Sequence, residues 1–99
     1  MGIDVRLETE NAEPVGEPIY DPSGHLAAAL AEAKGSLMDF IDPYGNTVFN
    51  QLQLPTVVKE FETALKRISP PFREHVAAVV ALLRTGLERP HIYARFIGD

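Results

Sequence analysis

The 99-residue sequence contains no cysteine and no tryptophan. Without cysteine, the chain has no thiol nucleophile, no thiolate zinc site and no disulfide. No apolar run approaches the ~18 residues that a membrane-spanning helix needs. The opening MGIDVRLETE also lacks the basic start and hydrophobic stretch of a secretory signal. These absences predict a cytoplasmic protein that does not contact membranes.

Basic residues are scarce, with 9 lysines and arginines against 14 aspartates and glutamates, for a net charge of −5. Residues 1–22 hold six acids and one base, while the remaining residues carry eight of each. Duplex binding depends on clustered lysine and arginine, so no nucleic acid partner is expected. The acidic segment fits either a basic protein partner or a solvated loop that keeps the protein soluble, and both interpretations stay open.

The common catalytic and ligand-binding motifs are absent too. The sequence has no Walker A loop, no Gly-x-Gly-x-x-Gly, no His-Glu-x-x-His, no EF-hand loop and no Gly-x-Ser-x-Gly. Its three histidines include no pair spaced four residues apart, which a helical metal site would use. We therefore expect no enzymatic activity, no catalytic residues, no cofactor and no bound metal.

The hydrophobic pattern predicts one α+β domain over residues 1–99. Alternation in Ile3–Glu8 and in the closing HIYARFIGD indicates two terminal strands, and Leu37–Ile41 with Thr47–Phe49 indicates a hairpin. Residues 10–24, rich in proline, glycine and acids, are expected to be an irregular connection. Helices are expected after Asp21, near Pro55 and after Ser69.

The resulting element order is β-α-β-β-α-α-β. It predicts a four-stranded, mostly antiparallel sheet with three helices packed on one face. The other face of the sheet would then meet solvent or a partner. With the terminal strands as neighbours, the residues on that face would be Asp4, Arg6, Glu8, His91, Tyr93, Arg95 and Ile97.

Two interpretations of this face stay open. In the first, Arg95 pairs across the strands with Asp4 or Glu8, and the face is a solvated surface of ion pairs. Alternatively, its tyrosine, arginine and exposed isoleucine form a protein-binding face, because such residues are enriched at interfaces. Asp39 is expected on the same open face or beside Arg95.

Three other side chains invite a chemical role. Asp42 precedes a proline and is expected to cap a turn. His75 lies at the edge of the apolar stripe of the third helix, with one ring nitrogen satisfied and the other in water. His25 lies in the first turn of the first helix. A ligand pocket would require Tyr20, His25 and Tyr44 to meet between that helix, the proline-rich segment and the sheet.

The stretches MGIDVRLE, FIDPYGNTVFNQLQ and RFIGD together resemble a set of short, single-domain bacterial proteins of unknown function. The resemblance implies a small stand-alone bacterial domain and no particular activity. Our leading hypothesis is a small cytoplasmic interaction protein, such as an inhibitor or immunity-type partner of another protein. The alternatives are a homodimer formed through the open sheet face or an edge strand, and a small ligand-binding domain or enzyme.

Overall fold

A computed structural model describes residues 2–99, and Met1 lies outside the described residues. Residues 2–99 form four strands, three α-helices and one short 3₁₀ helix. The strands are β1 (Ile3–Glu8), β2 (Pro14–Ile19), β3 (Asn46–Phe49) and β4 (Tyr93–Gly98). The helices are α1 (His25–Glu32), α2 (Leu54–Ala64) and α3 (Pro70–Gly86), with the 3₁₀ helix at Met38–Phe40.

The four strands form one antiparallel sheet in the order β2-β1-β4-β3. The predicted fold class, an α+β fold with one four-stranded sheet and three helices, is confirmed. Alternate residues of β1, namely Ile3, Val5 and Leu7, are buried beneath the helices, while Asp4 and Arg6 between them stay partly exposed. One face of the sheet thus builds the core and the other is left open.

Three phenylalanines from three elements meet in the core. Phe96 of β4 lies parallel to Phe61 of α2, with ring centroids 5.9 Å apart and an interplanar angle of 2°. Phe49 of β3 meets the edge of Phe96 at 5.7 Å. Both arrangements lie within the range that aromatic pairs prefer, and all three rings are buried. This cluster fixes α2 over the β3–β4 side of the sheet.

The prediction that residues 10–24 are irregular is wrong for Pro14–Ile19, which form β2 at the edge of the sheet. Its pairing with β1 is interrupted by a bulge, where Gly16 takes a φ of +71°. Proline is tolerated in such a strand, because an edge strand needs ladder hydrogen bonds on one side only. The proline and glycine content that indicated a loop is therefore typical of an edge strand here.

The prediction of a strand at Leu37–Ile41 is also wrong, because the chain forms the 3₁₀ helix there. The carboxylate of Glu60 in α2 accepts hydrogen bonds from the N–H groups of Leu37 (3.2 Å) and Met38 (3.0 Å), and from the Ser36 hydroxyl (2.6 Å). Burial raises the pKa of Glu60, but these donors outweigh it and leave the pKa lowered. The Glu60 carboxylate therefore accepts backbone N–H groups that a neighbouring strand would have accepted in the predicted hairpin.

The predicted positions of Asp39 and His91 are wrong as well. Asp39 lies in the 3₁₀ helix rather than in the sheet, and its carboxylate accepts the N–H of Gly35 at 3.1 Å. His91 does not open the last strand, because β4 begins at Tyr93. His91 instead occupies the preceding turn with a φ of +59°. Its N–H donates to the side-chain oxygen of Gln51.

The phenylalanine cluster gives a stability prediction. Phe96→Ala should lower the free energy of unfolding by about 3–5 kcal/mol, because it removes a buried ring and leaves a cavity. Leu52→Ala, at a side chain that is 83% exposed, should change it by less than ~0.5 kcal/mol. Urea unfolding of both variants measures the difference, and equal losses would contradict a core centred on Phe96.

Candidate functional site

The open face of the sheet brings together all of the predicted binding residues except His91. In the register of β1 with β4, Asp4 lies opposite Ile97, Arg6 opposite Arg95, and Glu8 opposite Tyr93. Strand β3 extends the face, since Val48 lies opposite Arg95 and Asn46 opposite Ile97. We define the open face as the residues Asp4, Arg6, Glu8, Asn46, Val48, Tyr93, Arg95 and Ile97.

A three-residue ion network occupies the middle of this face. Arg95 Nε donates to Glu8 Oε1 at 2.9 Å, and Arg95 Nη2 forms an ion pair with the same oxygen at 2.8 Å. Arg6 Nε donates to Glu8 Oε2 at 3.0 Å. The predicted cross-strand pairing of Arg95 is therefore made with Glu8 rather than Asp4. Since Arg6 and Arg95 lie directly opposite each other, the carboxylate between them offsets their mutual repulsion.

The network changes the titration of its members. Glu8 is 3% exposed, yet the hydrogen bond from Arg95 lowers its pKa, and Arg6 adds to that effect against the opposing effect of burial. The same hydrogen bond raises the pKa of Arg95. Glu8 is consequently held as a carboxylate and both arginine side chains are held in place.

Apolar side chains flank this fixed polar centre. Val48 is 42% exposed, and Tyr93 and Ile97 are partly exposed beside the arginines. Arginine and tyrosine are enriched among residues that dominate protein–protein binding energies. The face therefore combines a hydrogen-bonded polar centre with partly exposed apolar side chains around it.

A shallow depression of about 280 Å³ continues the open face at one end of the sheet. Its lining residues are Gly2, Asp4, Tyr20, Asp21, Pro22, Ile97 and Asp99. Tyr20, which follows β2 directly, is 66% exposed. The sequence did not indicate the place of Tyr20 in this depression or of Val48 on the open face. Placing Tyr20 requires recognising β2 as a strand, and placing Val48 requires the register of β3.

Tyr20, His25 and Tyr44, which a ligand pocket would require to meet, lie in different parts of the surface. Tyr20 lines the depression beside the open face, whereas His25 lines a different depression of about 440 Å³. Tyr44 lines neither of them and lies in the turn before β3. That turn is the one predicted for Asp42, whose Oδ1 accepts the N–H of Tyr44 at 2.8 Å.

Asp21, after which the first helix was expected, makes hydrogen bonds to more than one element. Its buried Oδ2 accepts the N–H groups of Leu26 (3.1 Å) and Ala27 (3.3 Å) in α1, and that of Ile3 (3.0 Å) in β1. Its own N–H donates to Asp4 Oδ1 at 2.8 Å. Asp21 thus connects the start of α1 to β1 and to the end of the open face.

His75 departs from the prediction of one satisfied and one solvated ring nitrogen. Its Nε2 is buried without a hydrogen-bond partner and lies 3.6 Å from Asp21 Oδ1. The ring contacts that of His25, at a centroid distance of 5.8 Å. Across residues 2–99 there is no group of three or more histidines, aspartates or glutamates that could hold a metal ion.

Comparisons with known proteins give one partial similarity. No protein-family model matches the chain, and no solved structure matches it. A stretch of 64 residues, 65% of the chain, is 31% identical to Protease 4 of Haemophilus influenzae. The matched stretch spans only about 10% of the length of that protein. In the part of the chain that the structure describes, none of the helices is long and apolar enough to cross a membrane.

The ion network predicts a specific cost for neutralising its carboxylate. Glu8→Gln should reduce the free energy of unfolding by about 1–3 kcal/mol, because it leaves two opposed arginines with a weaker acceptor. Glu10→Gln is the matched control, since Glu10 is exposed and should matter little. Urea unfolding near neutral pH compares them, and equal stabilities would show that the network is not stabilising.

The lowered pKa of Glu8 also predicts how this difference depends on pH. Below its ordinary value of 4.5, Glu8 binds a proton more readily in the unfolded chain than in the folded one. Its contribution to stability is therefore complete above that value and is lost as the pH falls through the lowered folded-state value. The stability gap between the wild type and Glu8→Gln should narrow as the pH falls below about 5. A gap that stays constant over this range would contradict the assignment.

Proposed function

We propose that this protein is a small cytoplasmic interaction domain that binds another protein through the open face and catalyses no reaction. The observation that carries the proposal is the uncovered sheet face, on which Val48, Tyr93 and Ile97 surround the fixed network of Glu8 with its two arginines. An inhibitor or immunity-type protein, which covers a site on its partner, is the specific form that fits so small a chain.

Charge favours a partner with a basic surface. Within the open face, Asp4 and Glu8 balance Arg6 and Arg95, so the face itself is neutral. The acids lie beside it, because Glu10, Glu13 and Glu17 are exposed in the β1–β2 hairpin. The sequence contains no lysine or arginine between Arg6 and Lys34 to neutralise them. Complementary charge on the partner would accelerate association and make it sensitive to salt.

The edges of the sheet are poorly suited to self-association. The edge strand β2 contains two prolines, Pro14 and Pro18, and a bulge at Gly16, and the opposite edge strand β3 has only four residues. Prolines, bulges and short edge strands all hinder pairing with a second sheet. Face-to-face dimerisation would bring together two chains of net charge −5, so a different, basic partner is favoured over a second copy.

Proteolytic activity is not part of this proposal. The similarity to Protease 4 spans only 10% of the length of that protein, and the activity of a whole protein does not follow from such a part. The similarity therefore assigns no catalytic residue to this chain.

The proposal is tested by comparing two variants in binding. Tagged wild-type protein, Ile97→Asp and Leu52→Asp are passed over lysate of the source organism, and the retained proteins are identified by mass spectrometry. Ile97 lies on the open face, whereas Leu52 lies in the turn before α2 and serves as the control. One partner should be retained by the wild type and by Leu52→Asp, weakened by salt, and lost with Ile97→Asp.

The affinity of the isolated partner makes the test quantitative. Replacing an interface residue that dominates binding costs about 2 kcal/mol or more, so Ile97→Asp should raise Kd by roughly 30-fold. Urea unfolding first establishes that both variants are folded. The same Kd for Ile97→Asp and the wild type would overturn the assignment of the open face. A mass that doubles with protein concentration, and falls with Ile97→Asp, would support the homodimer instead.

A further inference from the structure

Two buried polar atoms face each other where α1, α3 and β1 meet. They are Asp21 Oδ1 and His75 Nε2, 3.6 Å apart, and neither has a hydrogen-bond partner. The Asp21 side chain is 1% exposed and that of His75 is 18% exposed. A buried polar atom without a partner destabilises the folded state. The mutual approach of these two indicates that each is the interaction partner of the other.

The charge on Asp21 determines which nitrogen of His75 carries a proton. An unprotonated Nε2 would direct its lone pair at a carboxylate oxygen, which is repulsive. A protonated Nε2 directs an N–H at the same oxygen, which is attractive, so the neutral ring is fixed in the Nε2–H form. The further proton that makes the ring cationic then adds to Nδ1. The ring can exchange protons with solvent, because His75 is partly exposed and lines a depression with Pro70, Pro71 and Ala78.

The titratable groups around His75 are few. His25 of α1 contacts its ring at 5.8 Å and would oppose a second positive charge when protonated. Glu74 lines the same depression and carries the opposite charge. The carboxylate of Asp4 in β1 accepts the N–H of Asp21, so Asp4 affects His75 through Asp21. Among residues 2–99, no lysine or arginine lines this depression, so Asp21 is the charge that His75 faces most directly.

The contact is well placed to affect more than one element. The other oxygen of Asp21, Oδ2, holds the N–H groups of Ile3, Leu26 and Ala27. A positive charge near Oδ1 draws electron density within the carboxylate and changes the hydrogen bonds that Oδ2 accepts. Protonation of His75 in α3 therefore affects backbone hydrogen bonds at the start of β1 and in the first turn of α1.

We propose that Asp21 holds His75 in its Nε2–H form, and that protonation of Nδ1 converts their contact into a buried ion pair, so that the junction of β1, α1 and α3 responds to pH. The proposal concerns a cluster outside the open face and does not depend on the proposed function.

A nitrogen-15 NMR titration of the whole protein tests both parts. At high pH the ring nitrogen shifts of His75 should show a protonated Nε2 and an unprotonated Nδ1. As the pH falls, the amide signals of Ile3, Leu26 and Ala27 should move with the same midpoint as His75. The wild type alone carries this test, so it does not depend on a variant that folds.

Two variants separate His75 from its neighbour. His75→Gln should remove the shared step from the three amides, whereas His25→Gln should retain it, because His75 is the histidine whose Nε2 lies 3.6 Å from Asp21 Oδ1. A neutral ring protonated on Nδ1 would overturn the first part of the proposal. Amide signals that stay constant through the His75 midpoint, or that keep the step in His75→Gln, would overturn the second.

Discussion

Six residues of β1 pair with six of β4, from Ile3 beside Gly98 to Glu8 beside Tyr93. These two strands come from opposite ends of the described chain, yet they form the centre of the sheet. Their alternation places Val5 and Phe96 in the core and Arg6 and Arg95 on the open face. Bringing together segments so distant in sequence has an entropic cost of loop closure, and one strand without the other cannot offset that cost. The core and the candidate surface therefore both depend on this one pairing.

Carboxylates outside the cap positions accept hydrogen bonds near the starts of three helices. The residues preceding α1, the 3₁₀ helix and α3 make no side-chain cap hydrogen bond. Asp21 serves the first of these helices and Glu60 the second. Glu32 accepts both the N–H (3.1 Å) and the hydroxyl (2.5 Å) of Ser69 before α3. These two hydrogen bonds, the hydroxyl first, lower the pKa of Glu32. Some of the chain's acidic side chains therefore stabilise the fold by accepting backbone hydrogen bonds.

The sequence predicted those features that depend on residues close together in the chain. The apolar stripes of α2 and α3, the terminal strands and the turn at Asp42 are all local patterns, and the structure contains each of them. The 3₁₀ helix at Met38–Phe40 was not predictable in this way, because it depends on Glu60, 22 residues from Met38. The same limit hid the contact of Asp21 with His75. For the candidate site, alternation indicated the central residues, but the register was needed to add Val48.

The network of Glu8 with Arg6 and Arg95 holds two positive charges against one negative charge. A local excess of positive charge therefore lies at the centre of the open face, while the exposed acids of the β1–β2 hairpin lie to one side of it. A surface with this polarity is not symmetric under a half-turn about its normal. A partner of the kind we propose would place an acceptor over the arginines and its basic groups over the hairpin. Rotating that partner by a half-turn would bring like charges together, so the charge pattern would favour one docking orientation over its opposite.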